Sequence, residues 1–249
     1  MIISEKKYEF AGESKEWKGH TLRQIKAVRD FGNIKAGTIG GWIESYRNLS
    51  HEGCCWVGEE AKVWGAATVS EEAVVSGFAQ VFDFAEIGGK AKVSGGVKVF
   101  DYAKIYDSAD VSGEGSIYGE AKIYGCANIF GDNPRVFGSA EVYDNGRVCY
   151  FAQVYGAAHV FGQANIFGSA QVFGSARIYE MANVYGNAKV YGRAEIYGKA
   201  HIFDDAFVFD DAMVFDSARI HKKARVFYES RIFYEEEVTK AIGMRGYYL

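Results

Sequence analysis

The strongest constraint in the sequence is a six-residue repeat that covers most of its length. The unit reads A-x-[VI]-[FY]-[GD]-x, and about 30 copies run from roughly Cys55 to Val238. Alanine marks the phase at every sixth residue, first over 61–127 and then, one residue out of phase, over 140–224, with Val or Gly at three of these positions. A period of six does not fit the 3.6-residue turn of an α-helix, so the repeat excludes a helical fold.

Polarity alternates inside each unit, as it does in a β-strand whose two faces differ. Side chains at i and i+2 share a face of a strand, so the Ala and the Val or Ile two positions later point the same way. The residue between them is polar or charged in most units, as at Lys62, Glu86 and Asn128. We therefore expect Ala and Val or Ile to form the core and the intervening residue to face water.

Gly or Asp follows the aromatic residue in most units. Gly, and next best Asp or Asn, tolerates the positive φ that a tight corner requires. We therefore expect each unit to contain one strand and one corner. The acidic residues between Asp204 and Ser217 belong to successive corners of a coil, so their carboxylates do not converge and predict no calcium site.

The residue after each Val or Ile falls into three columns when it is sorted by every third unit. The second column begins with Ser70 and Gly88 and is aromatic from Tyr106 onward, whereas the third is Gly or Ser over 58–112 and mostly aromatic afterwards. The first column is aromatic throughout: Trp64, Phe82, Phe100, Tyr118, Phe137, Tyr155, Phe173, Tyr191, Phe209 and Phe227. Three distinct columns predict an all-β fold, a three-sided, single-stranded parallel β-helix of about ten coils of 18 residues.

The repeat leaves two ends that need a different structure. Residues 1–52 lie outside it and contain two strand-like segments, KKYEF and TLRQIKAVRDF, joined by a turn. The end of a solenoid exposes core residues and unpaired strand edges. We therefore predict an N-terminal β-hairpin cap over 1–52, a solenoid over 53–238 and a C-terminal cap over 239–249. The extra residue within 131–134 is interpreted as a tolerated bulge rather than a site.

Composition restricts the kinds of partner. The formal net charge is −4 with Lys and Arg scattered along the chain, which does not favour a nucleic acid polymer. No apolar run approaches 18 residues, so no membrane partner is expected. The four cysteines form no CxxC pair, and no P-loop, GxGxxG or HExxH motif is present. We expect a cytoplasmic protein without a signal peptide, a metal or a cofactor.

The repeat unit resembles the hexapeptide repeat of left-handed parallel β-helix proteins, a family that contains many acyltransferases. The segment LRQIKAVRDFGNIKAGTIGGWIESYRNLSHEGCCWV, residues 22–57, resembles the opening of the YdcK-like transferases of bacteria and phages through its GGW and CW elements and their spacing. The resemblance implies a left-handed coil. It also implies acyl transfer by a histidine in a cleft between subunits, with loops extruded from the coils to hold the acyl donor.

The histidines give that activity little support. His159 and His201 follow Ala in the outward position, on different sides, and are the two candidates for a general base. His20 and His51 lie in or near the cap, and His221 occupies an aromatic column. No carboxylate accompanies them in a recurring spacing, and no loop longer than one residue interrupts the coils. We therefore expect ordinary surface histidines.

Two cysteines have positions that allow a prediction. Cys55 occupies the inward position of Ala, so we expect a small buried core residue. Cys149 occupies an outward position, so it is predicted to be the more accessible thiol, although no basic partner is evident.

The aromatic columns suggest the function. Twenty-two column positions carry Trp, Phe or Tyr, and rings stacked from coil to coil stabilise a solenoid. They also leave apolar strips, which soluble monomers rarely expose beyond a few hundred Å². We predict a non-enzymatic scaffold or binding protein that forms a homo-oligomer, a dimer or trimer, through the first column. Docking of a partner protein on these faces is another interpretation.

Two alternative functions stay open. The first is a hexapeptide-type acyltransferase with an inter-subunit site. The second is a protein that sequesters a small planar ligand, such as a nucleotide, between the aromatic faces of neighbouring subunits.

Overall fold

The computed structural model describes residues 6–243, and every regular element in this range is a β-strand. The strands form three sheets that stack into about eleven turns, which confirms the all-β solenoid and its coil length. Residues 1–5 of the predicted N-terminal cap and residues 244–249 of the predicted C-terminal cap lie outside this range. Over the described part of the chain, no helix is long and apolar enough to cross a membrane.

The first sheet begins with three longer strands, β1 (Tyr8–Trp17), β2 (His20–Ala27) and β3 (Ile39–Ile43). β1 and β2 form an antiparallel hairpin, β2 pairs antiparallel with β3, and β3 pairs parallel with the first short strand of the solenoid. The short strands that follow in this sheet are Lys62–Val63, Gln80–Val81, Lys98–Val99, Ser116–Ile117, Arg135–Val136, Gln153–Val154, Gln171–Val172, Lys189–Val190, Phe207–Val208, Arg225–Val226 and Ala241–Ile242.

The other two sheets contain only short parallel strands. The second sheet consists of Thr68–Val69, Glu86–Ile87, Lys104–Ile105, Lys122–Ile123, Glu141–Val142, His159–Val160, Arg177–Ile178, Glu195–Ile196, Met213–Val214 and Arg231–Ile232. The third sheet consists of Trp56–Val57, Val74–Val75, Lys92–Val93, Asp110–Val111, Asn128–Phe130, Arg147–Cys149, Asn165–Ile166, Asn183–Val184, His201–Ile202, Arg219–Ile220 and Glu237–Val238.

Successive coils are joined by backbone hydrogen bonds in a constant register. Lys92 pairs with Asp110 and Val93 with Val111, 18 residues later, and the other coils repeat this offset. The N–H of Lys62 donates to the carbonyl of Ala79, and the N–H of Trp64 donates to that of Val81. Equivalent side chains therefore lie directly above one another, which turns each column of the sequence into a physical row.

The core contains the Ala and Val or Ile rows of all three sheets. These residues are essentially inaccessible to solvent from Ala61 to Val226. The residue between them is partly or fully exposed in nearly every coil. The predicted inward and outward positions are thus confirmed, because the two-residue period of a strand leaves no other arrangement once Ala is inside.

The corners have the left-handed conformation that the sequence indicates, and they also carry a second feature. Within residues 6–243, nine corner carboxylates with φ between 53° and 61° accept a hydrogen bond, at 2.6–3.4 Å, from the backbone N–H 18 residues later. In one example, Asp210 Oδ2 accepts from the N–H of Tyr228 at 3.2 Å. Acidic residues at these corners therefore tolerate positive φ and also tie one coil to the next.

The one-residue insertion forms a bulge at a corner. Ser116 pairs with Arg135, an offset of 19 residues, and the normal offset of 18 returns afterwards. The N–H of Asn133 donates to the carbonyl of Tyr150 at 2.9 Å, so the extra residue stays bonded to the next coil. Pro134 is buried in the position that Ala normally holds, and it packs against Gly115, where a Cβ would lie 2.9 Å from the Pro134 ring.

Candidate functional site

The first column forms an unbroken stack of aromatic rings along the outer surface of the first sheet. Its ten rings, from Trp64 to Phe227, stack with centroids 4.6–5.3 Å apart and planes within 6° of parallel. This spacing is the distance between neighbouring strands, so the backbone register imposes it. Each stacked pair contributes roughly 0.5–1.5 kcal/mol beyond burial of its area.

The other two columns form shorter stacks. The second is continuous from Tyr106 to Phe233, with centroids 4.8–5.5 Å apart. The third is continuous from Phe167 through Tyr185 and Phe203 to the imidazole of His221. His221 therefore serves as a ring of a ladder.

Stacking changes the expected exposure of the columns. Trp64 is only 4% exposed, and the other first-column rings are partly buried because each is covered by the ring above and the ring below. The most exposed apolar side chains in this region lie at the corners instead: Phe78, Phe84 and Tyr102 are 67%, 53% and 56% exposed. Phe84 and Tyr102 stack at 4.9 Å, and sorting the corner residues by the 18-residue coil would have revealed this pair.

The N-terminal hairpin covers the beginning of the first column. Leu22, Trp42 and Trp64 form a buried apolar cluster on the outer face of the first sheet, with Trp17 and Phe82 packed against it. Three lysine side chains lie over these rings: Lys15 over Trp42 at 3.6 Å, Lys62 over Trp17 at 4.6 Å and Lys18 over Trp64 at 5.6 Å from the centroid. Trp64 therefore belongs to the chain's own packing, and the accessible part of the column begins near Phe82.

The structure places a carboxylate beside His159, which the spacing in the sequence did not suggest. Glu141 lies in the equivalent position of the preceding coil, and its Oε2 is 3.9 Å from His159 Nδ1. That distance is too long for a hydrogen bond. Lys122 Nζ donates to Glu141 Oε1 at 3.0 Å, and the Tyr124 hydroxyl donates to Oε2 at 2.9 Å.

The electrostatics of this group favour a structural role. Burial alone would raise the pKa of Glu141, but the hydrogen bonds from Lys122 and Tyr124 lower it below its usual range. Burial and the same carboxylate raise the pKa of Tyr124. Because Glu141 is ionised and already bound to two donors, it does not orient His159 as a catalytic carboxylate does.

The same arrangement recurs further along the second sheet without a histidine. The Tyr179 hydroxyl donates to Glu195 Oε2 at 3.2 Å, and Arg177 lies 3.5 Å from Oε1 of the same carboxylate. Burial, followed by the nearby Glu195, raises the pKa of Tyr179 to about 12. Position 213, which follows Glu195 in this row, is Met. A repeated Tyr–Glu–cation contact is typical of a brace between coils.

His201, the other predicted candidate, has a different environment. Its ring meets the edge of the Tyr185 ring, with centroids 6.1 Å apart. Burial and the positive charge of Arg219 lower its pKa, so the imidazole is neutral at physiological pH. The two candidates also lie on different sheets, His159 on the second and His201 on the third, so the structure does not bring them together.

The remaining histidines have carboxylate or aromatic neighbours. His20 Nδ1 lies 2.9 Å from Glu44 Oε1, and His221 Nε2 lies 2.6 Å from Glu237 Oε1. His51 stacks on Tyr8 with centroids 4.3 Å apart. Across residues 6–243, no group of three or more His, Cys, Asp or Glu side chains is arranged to hold a metal ion.

The prediction for Cys149 was wrong, whereas that for Cys55 is confirmed. Cys149 is only 7% exposed because its column position lies against Phe130 of the neighbouring strand, and burial raises its pKa. Cys55 is fully buried, and its Sγ accepts a hydrogen bond from the buried Lys7 Nζ at 3.1 Å. Burial raises the pKa of the Cys55 thiol, although Lys7 acts in the opposite direction. Neither thiol is exposed.

The coil length and the three stacked sheets decide the class of protein. The chain is a hexapeptide-repeat β-solenoid. No family model matches it. The solenoid is 42% identical over 57 residues to a protein of Escherichia coli (strain K12) that is named an uncharacterized acetyltransferase, YdcK. The matched segment is 22% of this chain and 18% of that protein, so the similarity spans less than a fifth of the relative's length.

Proposed function

We propose that the β-solenoid is a non-enzymatic scaffold that associates with further copies of itself through the outer face of its first sheet. The observation that carries the proposal is the unbroken first-column stack, which continues at a constant spacing beyond the part covered by the hairpin. A second copy offers an aromatic row with the same spacing, so rings of the two copies match along their whole length. Few unrelated surfaces have this periodicity.

Exposed corner residues add apolar area beside this face. Phe78 lies at the corner before the strand Gln80–Val81, and Phe84 and Tyr102 lie at corners that follow strands of the first sheet. Together with Phe82 and Phe100 they surround the accessible N-terminal part of the column with aromatic side chains. Contiguous apolar surface of this kind is typical of an interaction site.

Light-scattering chromatography tests the proposal. The wild-type chain is expected to have the mass of a dimer or trimer, and the variant Phe173→Ser/Tyr191→Ser/Phe209→Ser is expected to have the mass of a monomer, because it removes three neighbouring rings from the first face. The matched control, Tyr179→Ser/Tyr197→Ser/Phe215→Ser, removes three rings of the second column from the same coils and should keep the oligomer.

Three results would contradict this proposal. A monomeric wild-type chain, or an unchanged mass in the first-column variant, would show that this face is not the interface. Equal dissociation of both variants would mean that ring stacking inside the chain, rather than the first face, determines the mass. Far-UV circular dichroism of each variant shows whether the solenoid is intact.

A second candidate function is acyl transfer at an inter-subunit site with His159 as base. It is favoured by the name of the E. coli relative and by the carboxylate of Glu141 near the imidazole. Against it stand the engagement of Glu141 by Lys122 and Tyr124 and a solenoid whose coils deviate by only one residue. The geometry therefore supports the scaffold better.

Titration with acetyl-coenzyme A separates the two functions. We expect no binding heat and no release of free thiol, with the wild-type chain and with His159→Ala alike. Turnover that is lost in His159→Ala and kept in His201→Ala would overturn the non-enzymatic proposal in favour of the second candidate.

A further inference from the structure

The second column of rings is incomplete at its N-terminal end. Ser70 and Gly88 occupy the positions two coils and one coil before Tyr106, as the pairing of their strands shows. Tyr106 stacks on Tyr124 with centroids 5.0 Å apart and planes 2° from parallel. Its opposite face meets the position of Gly88, which has no side chain. The stack therefore ends in an open ring face, whereas the first column continues through the same coils.

A cavity occupies the place of the missing rings. Its volume is about 280 Å³, and Ser70, Gly88 and Tyr106 contribute to its lining together with charged side chains. Pockets for small molecules usually range from about 300 to 1,000 Å³, so this one suits a molecule of one or two rings. The hydroxyls of Thr68 and Ser70 provide polar groups in the same lining.

The fold does not require a glycine at position 88. A Cβ there would meet Ser70 Oγ at 3.5 Å and Glu71 Oε2 at 3.9 Å, which are ordinary contacts, and the backbone is outside the left-handed region. Gly89 differs, because its φ is 61° and a Cβ would clash with the backbone of Asp107. The corner therefore explains Gly89 but not Gly88, and a side chain at position 88 would fit sterically.

The charges around the cavity favour a cation. Glu71, Glu86 and Asp107 contribute three carboxylates, and Lys104 contributes one ammonium group, which leaves two negative charges uncompensated. Lys104 Nζ is bound to both oxygens of Glu86 at 3.1 Å. A phosphate or carboxylate ligand would be repelled, whereas a cation is attracted by the carboxylates and by the face of the Tyr106 ring.

We propose that this notch, defined by Ser70, Gly88 and Tyr106, binds a planar aromatic cation of one or two rings. The ring of the ligand takes the place of the missing ring and stacks on Tyr106, and its charge lies near Glu71 and Asp107. The site belongs to a single chain and faces outward from the second sheet, so it is independent of self-association through the first sheet. It differs from a nucleotide site because it rejects anions.

Calorimetric titration of the full chain tests the notch with two probes of similar shape. The cation 1-methylquinolinium is expected to bind once per chain, and 2-naphthoate is expected to bind at least about tenfold more weakly. No binding of 1-methylquinolinium at millimolar concentration, or tighter binding of the naphthoate, would overturn the proposal.

Three variants locate the site. Gly88→Phe supplies the missing ring and Tyr106→Ala removes the stacking face, and each is expected to weaken binding of 1-methylquinolinium about tenfold or more. Ser94→Phe adds a ring in the third column, outside the notch, and should bind as the wild type does. Unchanged affinity in both Gly88→Phe and Tyr106→Ala would place the probe elsewhere on the aromatic surface and contradict the assignment. The oligomer mass of each variant is measured separately, so failure of the notch is distinguishable from failure of the scaffold.

Discussion

Val172→Asp is expected to lower the free energy of unfolding by about 4 kcal/mol or more, because it places an unpaired carboxylate in the core. Val172 is fully buried and lies in the core row between Val154 and Val190. The neighbouring change Gln171→Asp introduces the same side chain on the outer face of the same two-residue strand. It is expected to change stability by less than about 1 kcal/mol.

Urea unfolding followed by far-UV circular dichroism measures both variants. The comparison is matched, since only the face of the strand differs between positions 171 and 172. Similar losses in the two variants would mean that the core of the solenoid is not a single row of Ala and Val or Ile.

Trp64→Ala is expected to cost about 3–5 kcal/mol, the range found when a large buried aromatic side chain is removed. The ring lies in the cluster with Leu22 and Trp42 and stacks on Phe82 at 4.6 Å, so its loss releases the hairpin from the first coil. The control Tyr155→Ala removes a partly buried ring from the middle of the same column. It is expected to cost about 2 kcal/mol, since two stacked neighbours are lost without a buried cluster.

Tryptophan fluorescence and circular dichroism distinguish these effects. The four tryptophans are residues 17, 42, 56 and 64, so fluorescence reports the N-terminal end and circular dichroism reports the whole solenoid. For Trp64→Ala, the fluorescence transition should move to lower urea than the dichroism transition. Coincident transitions at the wild-type midpoint would refute the idea that this cluster attaches the cap.

The fold was predictable because the repeat specifies it redundantly. A six-residue period, the polarity within each unit and the three columns each lead to a three-sided coil of 18 residues, and the structure agrees at every coil except at the insertion before Arg135. The division of the chain into two caps and a solenoid stays a prediction. The structure adds that β3 already pairs with the solenoid and that Ala241–Ile242 extends the first sheet.

The site was less predictable, because an outward position does not determine exposure. Cys149 and the first-column rings point away from the core but are covered by their neighbours in the stack. The coil offset alone would have placed Glu141 beside His159. Whether the carboxylate turns to the imidazole or to Lys122 and Tyr124 depends on side-chain conformation, which the sequence does not specify.

The register between coils has a mechanical consequence. The hydrogen bonds that join one coil to the next run along the long axis of the stack, and each coil contacts mainly its two neighbours. Tension applied along that axis therefore loads the outermost coil first. Each coil that leaves the end frees 18 residues, about 60 Å of extended chain. Under load the molecule would lengthen in nearly equal steps, like a spring that loses one turn at a time.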